Sequence, residues 1–237
     1  MKGWGTLLIL LLAAAGSATA QTAPDSTFSL FFNSSLSFTH ANDPQINRWL
    51  QKYGYPTEPH VPTSINFELA AIPADSRWMY TLRLSSITSG NNLTSFNILA
   101  GLYNSVVQTH DFMLYFGASA GYHADIITLN GNLPPAYQQL ATEYNISSLA
   151  LRRAGLTVEP AARAFWYPVQ AGGLKIGVFG GLGYDLDFNS RWKLGYYSND
   201  HGKYNHFKKL NKPDDQQRVS EHGFSLSAGL SLRLDLH

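Results

Sequence analysis

Three residues on one short stretch have the types that acyl-transfer chemistry uses: Ser119, His123 and Asp125. A serine hydroxyl, an imidazole and a carboxylate can serve as nucleophile, base and orienting acid. In an extended chain, positions i, i+4 and i+6 share one side, but they spread over roughly 20 Å from Ser119 to Asp125. A nucleophile and its base need about 3 Å. His123 is therefore expected to fill a polar face rather than to act as a base. His201, His206 and His222 fall near Asp200 and Asp214, in a spacing that matches no metal site. The chain has 0 Cys, so it has neither thiolate ligands nor a disulfide framework. No metal and no cofactor is expected. Asn92-Leu93-Thr94 has the pattern of a glycan acceptor and is expected to be without consequence.

The remaining chemistry is charge. Glu68, Arg83, Glu159, Arg163, Lys175, Asp185, Asp187, Arg233 and Asp235 all lie inside alternating segments, on the polar side of each. Charged residues make up only 14% of the 237-residue chain and the net charge is +1, which argues against a nucleic-acid partner.

The elements that must position these charges are strands. In Gly223 to His237, Phe224, Leu226, Ala228, Leu230, Leu232, Leu234 and Leu236 alternate with Ser225, Ser227, Gly229, Ser231, Arg233 and Asp235. A period of two without a break is a strand with one hydrocarbon face. The same rhythm predicts strands over Thr27 to Thr39, Ser64 to Ile72, Trp78 to Thr88, Ser95 to Val107, Phe112 to Ile127, Gly155 to Tyr167 and Leu174 to Phe188. Leu99 falls on the polar side of its strand, and Pro160 predicts a bulge. Asp43-Pro44 can open a short helix through Tyr53, and Pro135 to Tyr144 can hold another.

The N-terminus predicts export. Lys2, the apolar run Leu7 to Ala15 and the small residues Ala18-Thr19-Ala20 form a secretory signal peptide over residues 1–20. That leaves 21–237 as one domain of about 215 residues. No later segment is apolar enough for a membrane helix, so a membrane-spanning fold must be a closed barrel. The connections support one: 73–77, 108–111 and 168–173 are short, whereas 40–63, 128–154 and 189–222 are long, and only 89–94 breaks the pattern. Such alternation marks outer-membrane barrels, with both ends of the chain on the periplasmic side. Phe28, Trp78, Tyr80, Phe112, Trp166 and Tyr167 band at that end, and Phe38, Phe96, Tyr122, Tyr184, Phe188 and Phe224 band at the other, as interfacial girdles do. The fold class is all-β: a single antiparallel up-and-down transmembrane β-barrel of about eight strands.

The signal peptide, the eight alternating segments, the long–short loop rhythm and the final FSLSAGLSLRLDL together resemble the small eight-stranded outer-membrane β-barrels, the family of the OmpA transmembrane domain and porin-like barrel domains. The resemblance is one of architecture, and it departs at the end, where Leu236-His237 replaces the usual terminal aromatic residue. It implies a monomer in the outer membrane of a Gram-negative cell, with a structural, surface-binding or narrow-pore role. The alternative is a lipid-modifying barrel enzyme of the lipid A acylase or deacylase type. In the lumen the nine charges are expected to pair, with Glu68 and Arg83 as neighbours across one hairpin. Expected partners are the outer-membrane lipids, including lipopolysaccharide, whose anionic headgroups suit the basic loop Lys203 to Lys212.

Overall fold

The structure is a computed structural model. It describes residues 28–40, 44–52, 54–55, 63–89, 93–129, 138, 142, 149–188, 191–198, 206–209, 216–218 and 222–236. Residues 1–20, the predicted signal peptide, lie outside them, as do Asp200, His201, Asp214 and the Asn92 acceptor position. Of the predicted second helix only Gln138 and Thr142 are described, both helical, with the Thr142 hydroxyl donating to the Gln138 carbonyl.

Among the described residues, eleven strands and one continuous helix follow in chain order: β1 Phe28–His40, α1 Pro44–Lys52, β2 Thr63–Ile72, β3 Trp78–Ser89, β4 Leu93–Gln108, β5 Phe112–Leu129, β6 Leu149–Ala171, β7 Leu174–Phe188, β8 Arg191–Ser198, β9 His206–Lys209, β10 Gln216–Arg218 and β11 His222–Leu236. Strands β1 to β7 each pair with the next, and β11 lies between β7 and β1. These eight strands form a closed antiparallel barrel. The last ladder runs from Phe28↔Leu236 to His40↔Phe224. Closure leaves no open edge in the barrel, which is what a sheet surrounded by hydrocarbon requires. One rim, here the turn rim, carries the connections 73–77, 109–111 and 172–173. The opposite loop rim carries the long ones.

The distribution of side chains is inverted relative to a water-soluble protein. Phe67, Leu82, Leu182 and Leu230 are exposed on the outside, Leu230 to 67%, as are Phe32, Leu69, Phe116, Val178 and Leu226. Glu68, Glu159, Arg163, Lys175 and Arg233 are buried inside. An outward apolar belt around a polar interior is stable when the surroundings are lipid. Leu99 is buried in the lumen, as its position on the polar side of β4 implied.

Several expectations are corrected in detail. The bulge expected at Pro160 does not form there. Pro160 stays in register opposite Ala118 on β5, and the register shift in β6 lies between Trp166 and Val169, around Pro168. Pro160 has no N–H to donate, but its outward position faces lipid and costs the barrel only a local gap in the β6–β7 ladder, where Glu159 and Pro160 lack partners. Tyr167 does not join the outer girdle. It is fully buried in the lumen, while its neighbour Trp166 faces out. Strand β6 begins at Leu149 rather than Gly155, and the expected loop 189–222 contains β8, β9 and β10. Above the barrel, β8 takes over as the partner of β6, through Ala150↔Gly195, Leu151↔Leu194 and Arg152↔Lys193, and β9 and β10 pair with β8.

Helix α1 folds over the loop rim. Its end is closed by Gly54, whose φ of +74° only glycine adopts freely, with bonds from Gly54 N to Gln51 O (3.1 Å) and Tyr55 N to Leu50 O (2.9 Å). Leu50 and Tyr55, with Trp49 against them, pack into a cluster with Leu93, Ile127, Leu129, Leu149, Leu151, Trp192, Leu194 and Tyr196. A second apolar cluster fills the lumen toward the turn rim, around Phe31, Met79, Tyr103, Met113, Tyr115, Phe165 and Tyr167. Between the two lie the ion pairs of Arg163, Glu159 and Arg153, whereas Asp235, Arg233 and Lys175 sit at the turn rim.

The wall of this lumen is tight at its glycines. A Cβ at Gly121 would meet the Ile98 carbonyl oxygen and stand 2.9 Å from both the Ile98 carbonyl carbon and the Leu99 Cα, which are backbone atoms that cannot swing away. Gly121→Ala should therefore destabilise the barrel by about 1–3 kcal/mol through a forced backbone shift. Urea unfolding in lipid vesicles measures it, and an unchanged midpoint would show that β4 and β5 have slack at this pair.

Candidate functional site

The order of residues along β6 and β11 sorts the lumen into layers. Rising from the turn rim, β11 contributes Asp235, Arg233, Ser231 and Ser225, and β6 contributes Arg163, Glu159 and Arg153. Alternation of the strands turns each of them inward.

The first layer is centred on Asp235. Its carboxylate accepts from Arg233 Nε (2.6 Å) and the Ser29 hydroxyl (2.7 Å), and lies 3.4 Å from Lys175 Nζ. The Arg233 guanidinium stands over the Phe31 ring at 5.6 Å. In the second layer, Arg163 Nη1 donates to Glu68 Oε2, and Asn33 Nδ2 donates to Glu68 Oε1 at 3.1 Å. Asn33 Oδ1 accepts from the Ser231 hydroxyl (2.6 Å), which meets the Tyr167 hydroxyl at 2.8 Å. Arg163 also lies over the Tyr103 ring at 4.3 Å. The third layer is a two-pronged pair of Arg83 with Glu159, and the Ser225 hydroxyl donates to Glu159 at 3.1 Å. In the fourth, Arg153 Nε donates to Asp125 Oδ2 at 2.5 Å, Asp187 lies 3.8 Å from Arg153 Nη1 and 3.6 Å from His123 Nδ1, and the Arg153 guanidinium stands over the Trp192 ring of the upper cluster at 5.1 Å.

One pairing differs from the sequence expectation. Glu68 and Arg83 are in direct register across the β2–β3 hairpin, but their ion pairs go elsewhere, to Arg163 and Glu159 on β6. Both contacts cross the lumen. In a barrel of eight strands the far wall is within reach of an arginine, so a long side chain can choose a partner across the interior over its ladder neighbour. Asp185 lines the upper cavity.

Sequence reasoning missed Arg153 as a member of the network, because the strand was expected to begin at Gly155. The signal was present: Arg153 has the parity of Thr157, Glu159 and Arg163, which all face inward. It also missed the lumen-facing aromatic residues Phe31, Phe165 and Phe179, which join Tyr103 and Tyr115 in bringing hydrocarbon to the polar side of their strands.

The three residues with hydrolase chemistry are not assembled as a triad. The Ser119 hydroxyl meets the Tyr103 hydroxyl at 2.7 Å, and Asp125 is held by Arg153. Neither ring nitrogen of His123 has a hydrogen-bond partner, and its near contact is Asp187 rather than Ser119. No group of three or more His, Asp or Glu residues able to hold a metal ion occurs among the described residues. Of the expected histidine set, His206 and His222 fall in β9 and β11, and only their backbone is described.

A cavity of about 110 Å³ occupies the upper lumen, bordered by Asn66, Arg83, Ser95, His123, Asp187 and Ser225 among others. Leu93 borders both this cavity and the apolar cluster above it. The Arg83–Glu159 pair borders it from below. It is polar and large enough for several water molecules.

No protein-family model and no curated protein sequence matches the chain. Among solved structures it is similar to the Neisserial surface protein A (10% identity, covering 88% of this chain and 97% of that one, TM-score 0.45). It is also similar to the N-terminal β-barrel domain of Pseudomonas aeruginosa OprF (10% identity, 88% and 98% covered, TM-score 0.39). A third likeness is to the outer membrane protein AlkL, solved in lipid bilayers (11% identity, 92% and 95% covered, TM-score 0.40). The barrel itself rests on the chain's own ladders.

Proposed function

We propose that this chain is an integral barrel of a bacterial outer membrane whose lumen is closed, and that it works as a non-enzymatic structural or surface-exposed protein rather than as an open pore. The observation that carries this reading is the inverted surface: a continuous outward belt of Phe, Leu, Ile, Trp and Tyr around buried arginines and carboxylates. The barrel wall has no unpaired edge, and its strands are long enough to cross hydrocarbon. Closure of the lumen follows from its contents. An aromatic layer fills the turn side, cross-lumen ion pairs span the middle, and α1 with the β4, β5, β6 and β8 side chains covers the loop side. An ion entering from the turn rim meets the Asp235, Arg233 and Lys175 charges and then the aromatic cluster, and one entering from the loop rim meets the cluster under α1.

Export through the residues 1–20 signal peptide and residence as a monomer belong to the same proposal. Purified protein should need detergent to stay monomeric, shift its gel mobility on boiling, and show no steady conductance in planar bilayers. A chain that stays folded and monomeric in plain buffer would overturn the membrane reading, and stable single-channel steps would overturn the closed lumen. The lipid-modifying alternative is tested apart from these. Lipid A from cells with and without the gene, and from cells carrying His123→Ala, should give one and the same mass spectrum.

A further inference from the structure

The sheet that continues above the barrel carries a row of residues whose chemistry suits the membrane surface beside it. Four ladders align the row across five strands: Thr94 with Ile126, Ile126 with Arg152, Arg152 with Lys193 and Lys193 with Gln216. Directly paired residues of an antiparallel ladder share a face. That face is the outer one, because Leu151, Arg153, Trp192 and Leu194, the neighbours along β6 and β8, are all buried on the inner side. Lys193 is exposed and Arg152 half-buried. The row thus sets two basic residues, Arg152 and Lys193, side by side on the outer face.

The height of the patch selects its partner. On the same face, four residues along β6 and β5, Leu156 pairs with Tyr122, and both are exposed members of the apolar belt. Four residues span about 13 Å along a strand, and less along the membrane normal because barrel strands tilt. The hydrocarbon edge lies near the Tyr122–Leu156 row, so Arg152 and Lys193 stand at the depth where lipid phosphates begin. A soluble protein would have to dock against the membrane surface to reach them, whereas a lipid headgroup is already there.

We infer that Arg152 and Lys193 form a docking patch for the phosphate groups of anionic lipids in the leaflet at the loop rim. The inference rests on the membrane-embedded reading above. It concerns an outer face of the sheet, apart from the lumen.

The test uses the full chain folded into vesicles of phosphatidylcholine, with and without a minor fraction of phosphatidic acid. The lipids that stay with the barrel on extraction are counted by mass spectrometry. Phosphatidic acid should be enriched over its bulk share and should lose that enrichment in high salt. Arg152→Gln with Lys193→Gln should lower the enrichment roughly fivefold for each charge removed. Lys193→Gln alone, at an exposed site, provides the milder variant. The pair Arg48→Gln and Lys52→Gln on α1 removes the same net charge elsewhere and should change nothing. An equal loss from the α1 pair, or no loss from the patch variants, overturns the inference. So does displacement of the lipid by inorganic phosphate in solution, which would mark a free-anion site. A barrel that never enters vesicles fails at insertion, before any lipid is counted, and so reports on the membrane reading instead.

Discussion

Glu68→Gln should destabilise the folded barrel by about 3–5 kcal/mol, because it leaves a buried guanidinium without its counter-charge. Glu68 is 5% exposed and Arg163 4%, so neither charge can recover much hydration. The effect should couple across the lumen rather than along the hairpin. In an Arg163→Met background the same Glu68→Gln change should cost far less, since no orphaned cation remains. In an Arg83→Met background it should cost nearly its full amount, because Arg83 is committed to Glu159. Urea unfolding of the two double-variant cycles in vesicles separates the cases. Coupling confined to Arg83 would show that the ion pair follows the β2–β3 ladder after all. Equal coupling to both would show one shared cluster, with Glu68 divided between the two arginines.

Leu230→Arg should cost about 2–4 kcal/mol, the expense of a guanidinium near the bilayer midplane. Leu230 lies near the middle of β11 and is 67% exposed to the outside. Its ladder partners, Ser34 on β1 and Val178 on β7, offer no countercharge. The neighbouring Ser231 points inward to Asn33 and Tyr167, so Ser231→Ala should lose only hydrogen bonds, about 1–3 kcal/mol, and should do so in any lipid. The two can be told apart by bilayer thickness. The Leu230→Arg cost should fall in thinner bilayers, where an arginine reaches the headgroups more easily, and the Ser231→Ala cost should not. A Leu230→Arg variant as stable as the parent would mean that β11 does not face hydrocarbon.

The fold was legible in the sequence because alternation is a strong signal when it recurs. The pattern from Phe224 to Leu236 shows on its own which side of β11 meets lipid, and each ladder repeats the lesson. The limits of β6 and the existence of β8 were less legible. The doublet Arg152-Arg153 reads as a loop until one sees that its members face opposite ways, one outward and one into the lumen. In β8, Trp192, Leu194 and Tyr196 do alternate with Lys193 and Gly195, but the run is short and sits inside a polar stretch. The lumen was legible in its members but not in its partners. Parity along a strand says which charges point inward. It cannot say which far wall a side chain will reach, because that depends on the barrel's diameter and stagger, and no local pattern encodes them. Tyr167, by contrast, was legible: it shares the parity of Glu159, Arg163 and Phe165, which all face inward, and only its place beside Trp166 at the strand end suggested the girdle.

The ladder between β1 and β11 bears on how the molecule comes to exist. The hydrogen bond from Ser29 to Asp235 joins residues 206 apart in sequence. No partial chain can make that seam: until β11 arrives, β1 and β7 each present a bare row of N–H and C=O groups. The entropy of bringing the ends together is modest, since each doubling of a loop adds only about 0.6 kcal/mol. The delay is kinetic, because distant pairings form late and slowly. Throughout that interval the apolar belt is complete in sequence yet has no lipid around it. Biogenesis must therefore keep the unclosed chain apart from its own copies until the final fifteen residues of β11 are in place, and a chain released without them would offer its open edges to the next such chain.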